Sequence, residues 1–174
     1  GDRGSSYPSR DEFVTDGVPF INAGHLRDGE VSAEGMNYIT DEQYRQMGGA
    51  KVRSGDLLFC LRGSIGKLAL IQRSEGALAS SLVALRPKTP TRVDQRFMVH
   101  FLASRIVKEA INTVVNGSAQ PNLSVEDLRQ FRFSVPTPAE QASIAAEIDE
   151  LRGAASAVIK TSERLIQLTQ ERRS

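Results

Sequence analysis

The chain has 174 residues, 40% of them hydrophobic and 25% charged, with a formal net charge of +1. That length can bury a sizeable core and predicts one domain with an appendage, while the composition excludes wholesale disorder. No apolar run is long enough to span a bilayer, the first residues do not read as a signal sequence, and near-neutral charge gives no general sign of nucleic acid.

Pro19-Phe20-Ile21-Asn22-Ala23 has the composition of a short strand, and Gly24 and Gly29 bracket a polar loop carrying His25, Arg27 and Asp28. Thr40-Asp41-Glu42-Gln43 fits a capping box opening a short helix that ends near Gly48-Gly49. Val52 to Asp56 reads as a turn into Leu57-Leu58-Phe59-Cys60-Leu61, whose unbroken apolar run predicts a buried strand. Cys60 has no second cysteine to pair with, so it reads as a buried thiol and fits a reducing, cytoplasmic compartment. Arg62-Gly63-Ser64-Ile65-Gly66 forms a tight loop, and a hairpin is predicted with Leu68 to Ile71. Leu82 to Leu85 supplies a further strand, closed by Pro87 and Pro90. Thr91 to Asp94 is read as the capping box of a helix with Phe97, Phe101, Leu102, Ile106, Ala110, Ile111 and Val114 on its inner side. Ser124 to Asp127 repeats the device, and Phe131 to Val135 alternates like a strand. The predicted class is α+β: a β-rich mixed head with short helices over residues 1–136.

Pro136-Thr137-Pro138 then divides the head from a helix over 137–174. Thr137 can cap it, with Pro138 at the first helical position and Glu140 at the third, where a carboxylate favours the positive helix end. Ile144, Ile148, Leu151, Ala155, Val158, Ser162, Leu165 and Thr169 recur at alternating steps of four and three. That is a helix-pairing seam, which one helix cannot bury alone. Ile159 and Ile166 widen the face beyond a two-position stripe, and Gly153 costs about 1 kcal/mol relative to alanine. The chain opens on a polar Gly-Asp-Arg-Gly-Ser-Ser stretch and the helical pattern still runs at Ser174, so a fragment of a larger protein is expected.

No constellation of catalytic chemistry emerges. Gly63-Ser64-Ile65-Gly66-Lys67 is too short for a phosphate-binding P-loop, and Leu68 follows the lysine where Ser or Thr is needed. His25 and His100 lack a cysteine cluster, which argues against zinc, and neither Asp56 nor Glu75 belongs to a lysine-bearing acidic triad. The expectation is a noncatalytic chain without metal or cofactor. Between Lys51 and Arg92, however, Arg53, Arg62, Lys67, Arg73, Arg86 and Lys88 are opposed only by Asp56 and Glu75, a possible basic surface.

Duplex readers need cations and amides for phosphates and planar hydrogen-bonding groups for base edges. Arg62, Gly63, Ser64 and Lys67 offer charge and close backbone approach for phosphate, although a plain hairpin turn has the same residues. Asn22 suits adenine and Arg27 guanine, but Asn22 also fits a loop cap and Arg27 an ordinary surface charge. His25, Ser80, Ser81, Gln120 and Asn122 are further candidates for the groove, with Asn122 equally suited to backbone groups near the Ser124 cap. Arg3 and Arg10 are candidates for phosphate.

The order Gly17-Val18-Pro19-Phe20-Ile21-Asn22, Gly55-Asp56-Leu57-Leu58, Arg62-Gly63-Ser64-Ile65-Gly66-Lys67, Pro121-Asn122-Leu123-Ser124 and Pro136-Thr137-Pro138-Ala139-Glu140-Gln141 resembles one half of the DNA specificity subunit of type I restriction-modification enzymes. The resemblance covers nearly the whole chain from Gly17 onward. It implies a target-recognition domain followed by a conserved-region helix that pairs antiparallel with a second half. That half lies in the same polypeptide or in another copy. Two heads would then sit over a bipartite site in double-stranded DNA, and methyltransferase modification subunits and restriction subunits would supply the chemistry. A coiled-coil adaptor whose head binds protein, and a specificity fragment of a fused methyltransferase-nuclease, are the alternatives. The base sequence read is not implied.

Overall fold

The computed structural model describes residues 6–48, 51–72, 75–115 and 122–171. Among them the chain forms, in order, β1 (Val18–Ile21), β2 (Leu26–Arg27), β3 (Glu30–Val31), β4 (Asn37–Ile39), α1 (Asp41–Gln46), β5 (Leu57–Cys60), β6 (Leu68–Leu70), β7 (Ala77–Leu78) and β8 (Leu82–Leu85). The helices α2 (Gln95–Ala103), α3 (Arg105–Val115), α4 (Val125–Gln130) and α5 (Pro138–Glu171) follow. The α+β class and the long terminal helix expected from the sequence are both present.

The centre of the head is β5, paired antiparallel with β6 on one side and β8 on the other. Its side chains alternate between two cores. Leu58 and Cys60 point into one with Ile21, Leu26, Ala69 and Leu82, while Leu57 and Phe59 join Leu102, Val107 and Ile111 in the other. Both faces are covered, which is why this strand reads as a continuous apolar run rather than an alternation. Phe59 is fully buried, so its truncation to alanine would cost about 3–5 kcal/mol.

A second sheet runs β4-β1-β7, with β1 antiparallel to β4 and parallel to β7. Strand β7 has only two residues, Ala77 and Leu78, too short for any apolar period to reveal it. The β2–β3 hairpin was also missed. It turns at Asp28 and Gly29, with φ of 52° and 85°, and the Leu70 amide donates to the Gly29 carbonyl at 2.8 Å. That bond ties the hairpin to β6.

The expected single helix after Pro90 is two helices. Asp94, not Thr91, is the N-cap of α2, accepting from Arg96 and Phe97 amides at 2.8 and 3.1 Å, and Thr91 lies in a preceding 3-10 turn. The backbone then extends at Ser104 (ψ 161°) and resets the helical phase. As a result Val107 and Ile111 are buried, whereas Ile106 is 61% exposed and Val114 faces outward. Phe131 to Val135 is not a strand either. Phe131 and Phe133 do pack against the helix-side core, Phe133 edge-on to Phe101 at 5.0 Å, but the segment has no strand beside it. The alternation was real and the hydrogen-bonding partner was lacking.

Three helix starts carry the caps read from the sequence. Thr40 accepts from the Gln43 amide at 3.2 Å, and Ser124 and Asp127 form a reciprocal box. At the start of α5 the Thr137 amide and hydroxyl donate to Glu140 at 2.8 and 2.7 Å, and the Glu140 amide donates back at 3.4 Å. These bonds to Thr137 hold the Glu140 carboxyl below its usual range, as the bonds from Ser124 do for Asp127.

The first turns of α5 pack on α2. Gln141 is 0% exposed, with Oε1 accepting from the Asp94 amide at 2.9 Å and Nε2 donating to the Pro136 and Arg92 carbonyls at 2.8 and 3.1 Å. Two turns on, His100 Nε2 meets Asp149 Oδ1 at 2.7 Å, with Arg96 3.8 Å from the same carboxylate. Beyond Glu150 every described residue of α5 is exposed.

Candidate nucleic-acid interface

The turn between β5 and β6 is the meeting point of several candidate residues. Gly63 and Gly66 adopt φ of 74° and 82°, a region that L side chains enter only at a cost, so the glycines are required by the backbone rather than by crowding. Within the turn the Gly66 amide donates to the Cys60 carbonyl and the Lys67 amide to the Ser64 carbonyl, each at 3.0 Å. Cys60 lies beneath it, its thiol donating to the Arg62 carbonyl at 3.0 Å. Burial pushes the Cys60 thiol pKa up, partly offset by the Arg62 and Ser64 backbone and the Lys67 charge. The amides of Gly66 and Lys67 are therefore engaged in holding the turn, which shifts the weight of any anion contact there toward side chains.

Three other segments converge on this turn. Lys67 Nζ donates to the Ala23 carbonyl at 3.1 Å, joining it to the 3-10 turn Ala23–His25. Arg62 forms an isolated antiparallel bridge with Asn122, and its Nε donates to Asn122 Oδ1 at 3.0 Å, both residues being exposed. On the inner side the Leu61 amide donates to the Ser81 carbonyl at 2.8 Å, and the Leu123 amide donates to the Leu61 carbonyl at 3.0 Å. Asn22 next to Ala23, Arg62 to Lys67, Ser81 and Asn122 thus share one end of the β5 sheet, although they are spread across a hundred positions of sequence.

The remaining candidates stand apart from that cluster or are engaged in the fold. Asn22 caps its own turn, Oδ1 accepting from the Gly24 amide at 2.8 Å. His25 is 4% exposed; Nδ1 accepts from the Asn22 amide at 3.0 Å, so the proton is on Nε2, which donates to the Gly35 carbonyl at 3.1 Å. Arg27 pairs with Glu34 on the hairpin surface, where such pairs contribute little to stability. Ser80 is buried and its amide donates to the Tyr7 hydroxyl at 3.3 Å. Arg10 is exposed in the short 3-10 turn Arg10–Glu12. Arg3 and Gln120 lie outside the described residues.

Part of the basic excess between Lys51 and Arg92 is also structural. Arg86 grips the buried Asp56 with two bonds, at 2.5 and 2.6 Å, and that pairing raises the Arg86 pKa. Lys51 donates to the Arg45 carbonyl at 3.3 Å and sits 4.6 Å from the Tyr44 ring centre. Among the described residues, no group of three or more His, Cys, Asp or Glu side chains is arranged to hold a metal ion. No described helix is long and apolar enough to cross a membrane.

On α5 the seam residues divide by position. Ile144 and Ile148 flank the buried Ala145 near the packed root. Leu151, Val158 and Leu165 project from the open stretch, Leu151 and Val158 being 63% and 66% exposed, with Ala155 between them. Ser162 and Thr169 turn their hydroxyls onto the Val158 and Leu165 carbonyls at 2.9 and 2.7 Å, so neither leaves a bare polar atom on the stripe. Ile159, Ile166 and Leu168 are exposed beside it.

Residues 3–169 match the type I restriction modification DNA specificity domain. The chain belongs to that family. It is 24% identical over 148 residues to the specificity subunit of the type I restriction enzyme EcoBI from Escherichia coli, covering 84% of this chain and 31% of that protein. Its fold is similar to that of the HsdS subunit from Thermoanaerobacter tengcongensis, with a TM-score of 0.65 and 15% identity over 81% of this chain and 37% of that one. A type I restriction-modification S subunit from M. genitalium matches with a TM-score of 0.55 and 18% identity, over 84% of this chain and 35% of that one. The chain spans about a third of the length of each of these relatives.

Sequence reasoning missed Asp149 and the roles of Gln141 and Arg86, the latter counted only in the basic excess. Gln141 left a trace: it lies four residues before Ala145 and seven before Ile148, so an amide occupies an apolar phase of the helix. Arg86 and Asp149 carried no such mark, because their partners Asp56 and His100 are distant in sequence.

Proposed function

We propose that this chain is a noncatalytic DNA-recognition module of a type I restriction-modification system, reading one part of a bipartite duplex site. Its head, residues 1–136, makes the DNA contacts, and the helix over 137–174 spaces the head and assembles it. The observation that carries the reading is the family match across residues 3–169. The convergence of Arg62, Lys67, Asn22 and Asn122 at one end of a rigid sheet supports the location of the contact surface. Arg62 is its leading residue: exposed, cationic, and held by Asn122 through Nε, so the outer edge of the guanidinium is presented in a fixed plane. Ser64 and Lys67 add a hydroxyl and charge to the same turn, and Arg3 and Arg10 are further candidates for phosphate contact.

A helix with an uncovered apolar stripe from Leu151 onward calls for a second helix. The second specificity half, in cis or as another copy, is that partner. Methyltransferase subunits dock on the assembled pair and restriction subunits join through them. Methyl transfer and cleavage belong to those partners, and the protein acts in the cytoplasm. Methylation mapping in cells carrying the native system tests the proposal. One discrete bipartite motif is expected, changed when the head is exchanged for that of a relative. Methylation unaltered by the exchange would overturn it.

A further inference from the structure

We infer that Gln141 is the positioning residue that fixes the angle between head and arm, and thereby the spacing of the DNA site. The inference rests on the reading of the chain as a DNA head on a spacer helix. Gln141 sits one turn inside α5 and is fully buried. Its one amide oxygen and both amide hydrogens have partners: the Asp94 amide at the N-cap of α2, the Arg92 carbonyl before it, and the Pro136 carbonyl before α5. A single side chain thus ties α5 to two backbone segments, residues 92–94 of the head and Pro136 of the junction. An apolar contact at this place would hold the helix but allow it to slide, whereas a planar amide with every bond satisfied accepts one orientation. The His100–Asp149 contact two turns further along, with Arg96 beside it, fixes the second point needed to define an axis.

The geometry shows why such a joint matters. From Gln141 to the last described turn at Glu171, α5 extends about 45 Å at a rise of ~1.5 Å per residue. A pivot of roughly 5° at Gln141 moves the far end by about 4 Å, comparable to the ~3.4 Å step between successive nucleotides of duplex DNA. That displacement is sideways to the arm, so a joint loose by a few degrees blurs the register between two heads by up to one nucleotide step where the duplex runs across the arm. The seam of the arm cannot prevent this, because it lies beyond the pivot.

The test compares the native system with Gln141→Met and Asp149→Ala, by methylation mapping in cells and by binding of the assembled complex to duplexes whose half-sites are one base pair closer or further apart. Gln141→Met keeps the length of the side chain and removes all three bonds. Asp149 is 45% exposed, so its replacement leaves the folded head intact even where the Gln141 variant does not assemble. The expected result is retention of both half-site sequences with relaxed spacing, the preference for the native spacer over its neighbours falling toward equality. It should fall further in Gln141→Met than in Asp149→Ala. A general loss of stability would lower methylation at every site and leave the spacing preference sharp. Spacing as sharp as in the native system in every variant that assembles would overturn the inference. A native system with no discrete motif would instead overturn the reading on which it rests.

Discussion

The Arg62 turn permits a prediction that separates two modes of DNA contact. Arg62→Ala removes an exposed guanidinium whose Nε is already held by Asn122 at 3.0 Å. If its outer edge faces phosphate, the slope of log affinity against log salt should fall by about 0.9, the value for one neutralised phosphate, and affinity should drop alike for all duplexes. If it reads guanine, discrimination against the substituted site should fall by about 1–3 kcal/mol with the salt slope nearly unchanged. Arg62→Lys divides the cases, because it keeps the charge but not the planar fork. It should restore the phosphate contact and leave the base contact broken. Asn122→Ala frees the guanidinium to rotate, and ordering it again on binding costs about 0.5–1.5 kcal/mol, a smaller loss than Arg62→Ala in either mode. Fluorescence anisotropy with cognate and single-substituted duplexes, at several salt concentrations, measures all of these on the assembled complex. Arg62→Ala with unaltered affinity, slope and discrimination would refute an interface at this turn.

Three further predictions concern the fold and arm. Arg86→Ala strands the buried Asp56 carboxylate, which among the described residues keeps the Arg53 amide, at 2.7 Å, as its remaining partner. Breaking a buried pair costs about 3–5 kcal/mol, but Arg86 is partly exposed and solvent screening reduces this to roughly 2 kcal/mol, readable by urea denaturation. A loss below about 0.5 kcal/mol would show that water replaces the arginine. Because the Glu140 and Asp127 pKa values lie below their ordinary ones, their caps are fully stabilising above the unfolded values and fade as pH falls through the folded ones. NMR titration should place each midpoint below that of an ordinary glutamate or aspartate, and ordinary midpoints would mean that the boxes do not form in solution. Finally, Leu151→Asp with Val158→Asp should disrupt assembly of the two halves while leaving the melting of the head unchanged; assembly unaltered by both charges would remove the stripe from the interface.

Legibility in the sequence followed the range of the interactions. The caps at Thr40, Ser124 and Thr137 depend on residues three apart, and all were readable. The β5–β6 hairpin was readable because two glycines and two apolar runs are adjacent in the chain. What failed either needed distant partners or, as at the β2–β3 hairpin and the Asp94 cap, turned on a local choice among similar residues. Phe131 to Val135 alternates correctly but lacks a neighbouring strand, and Ser104 gives no warning that it divides a helix, since serine is tolerated inside one. The same holds at the candidate interface. The turn was visible as a turn, but Lys67 reaching Ala23, or Arg62 aligned by Asn122, are contacts across 44 and 60 positions of sequence.

The charge balance connects the head to the arm. A formal charge of +1 on 174 residues leaves little general attraction for DNA. Arg86 and Lys51 are moreover drawn into the fold, and Lys67 is half-engaged by Ala23. A head of this kind, on the proposed reading, holds only a few phosphates and binds weakly alone, which keeps its sequence preference from being swamped by nonspecific contact. Affinity must then come from joining two heads, because the second contact forms at an effective concentration set by the linker. A stiff linker delivers that gain only if both heads reach their half-sites together. Weak heads and a fixed joint are therefore one requirement: the less each head contributes, the more the site depends on the angle that Gln141 holds.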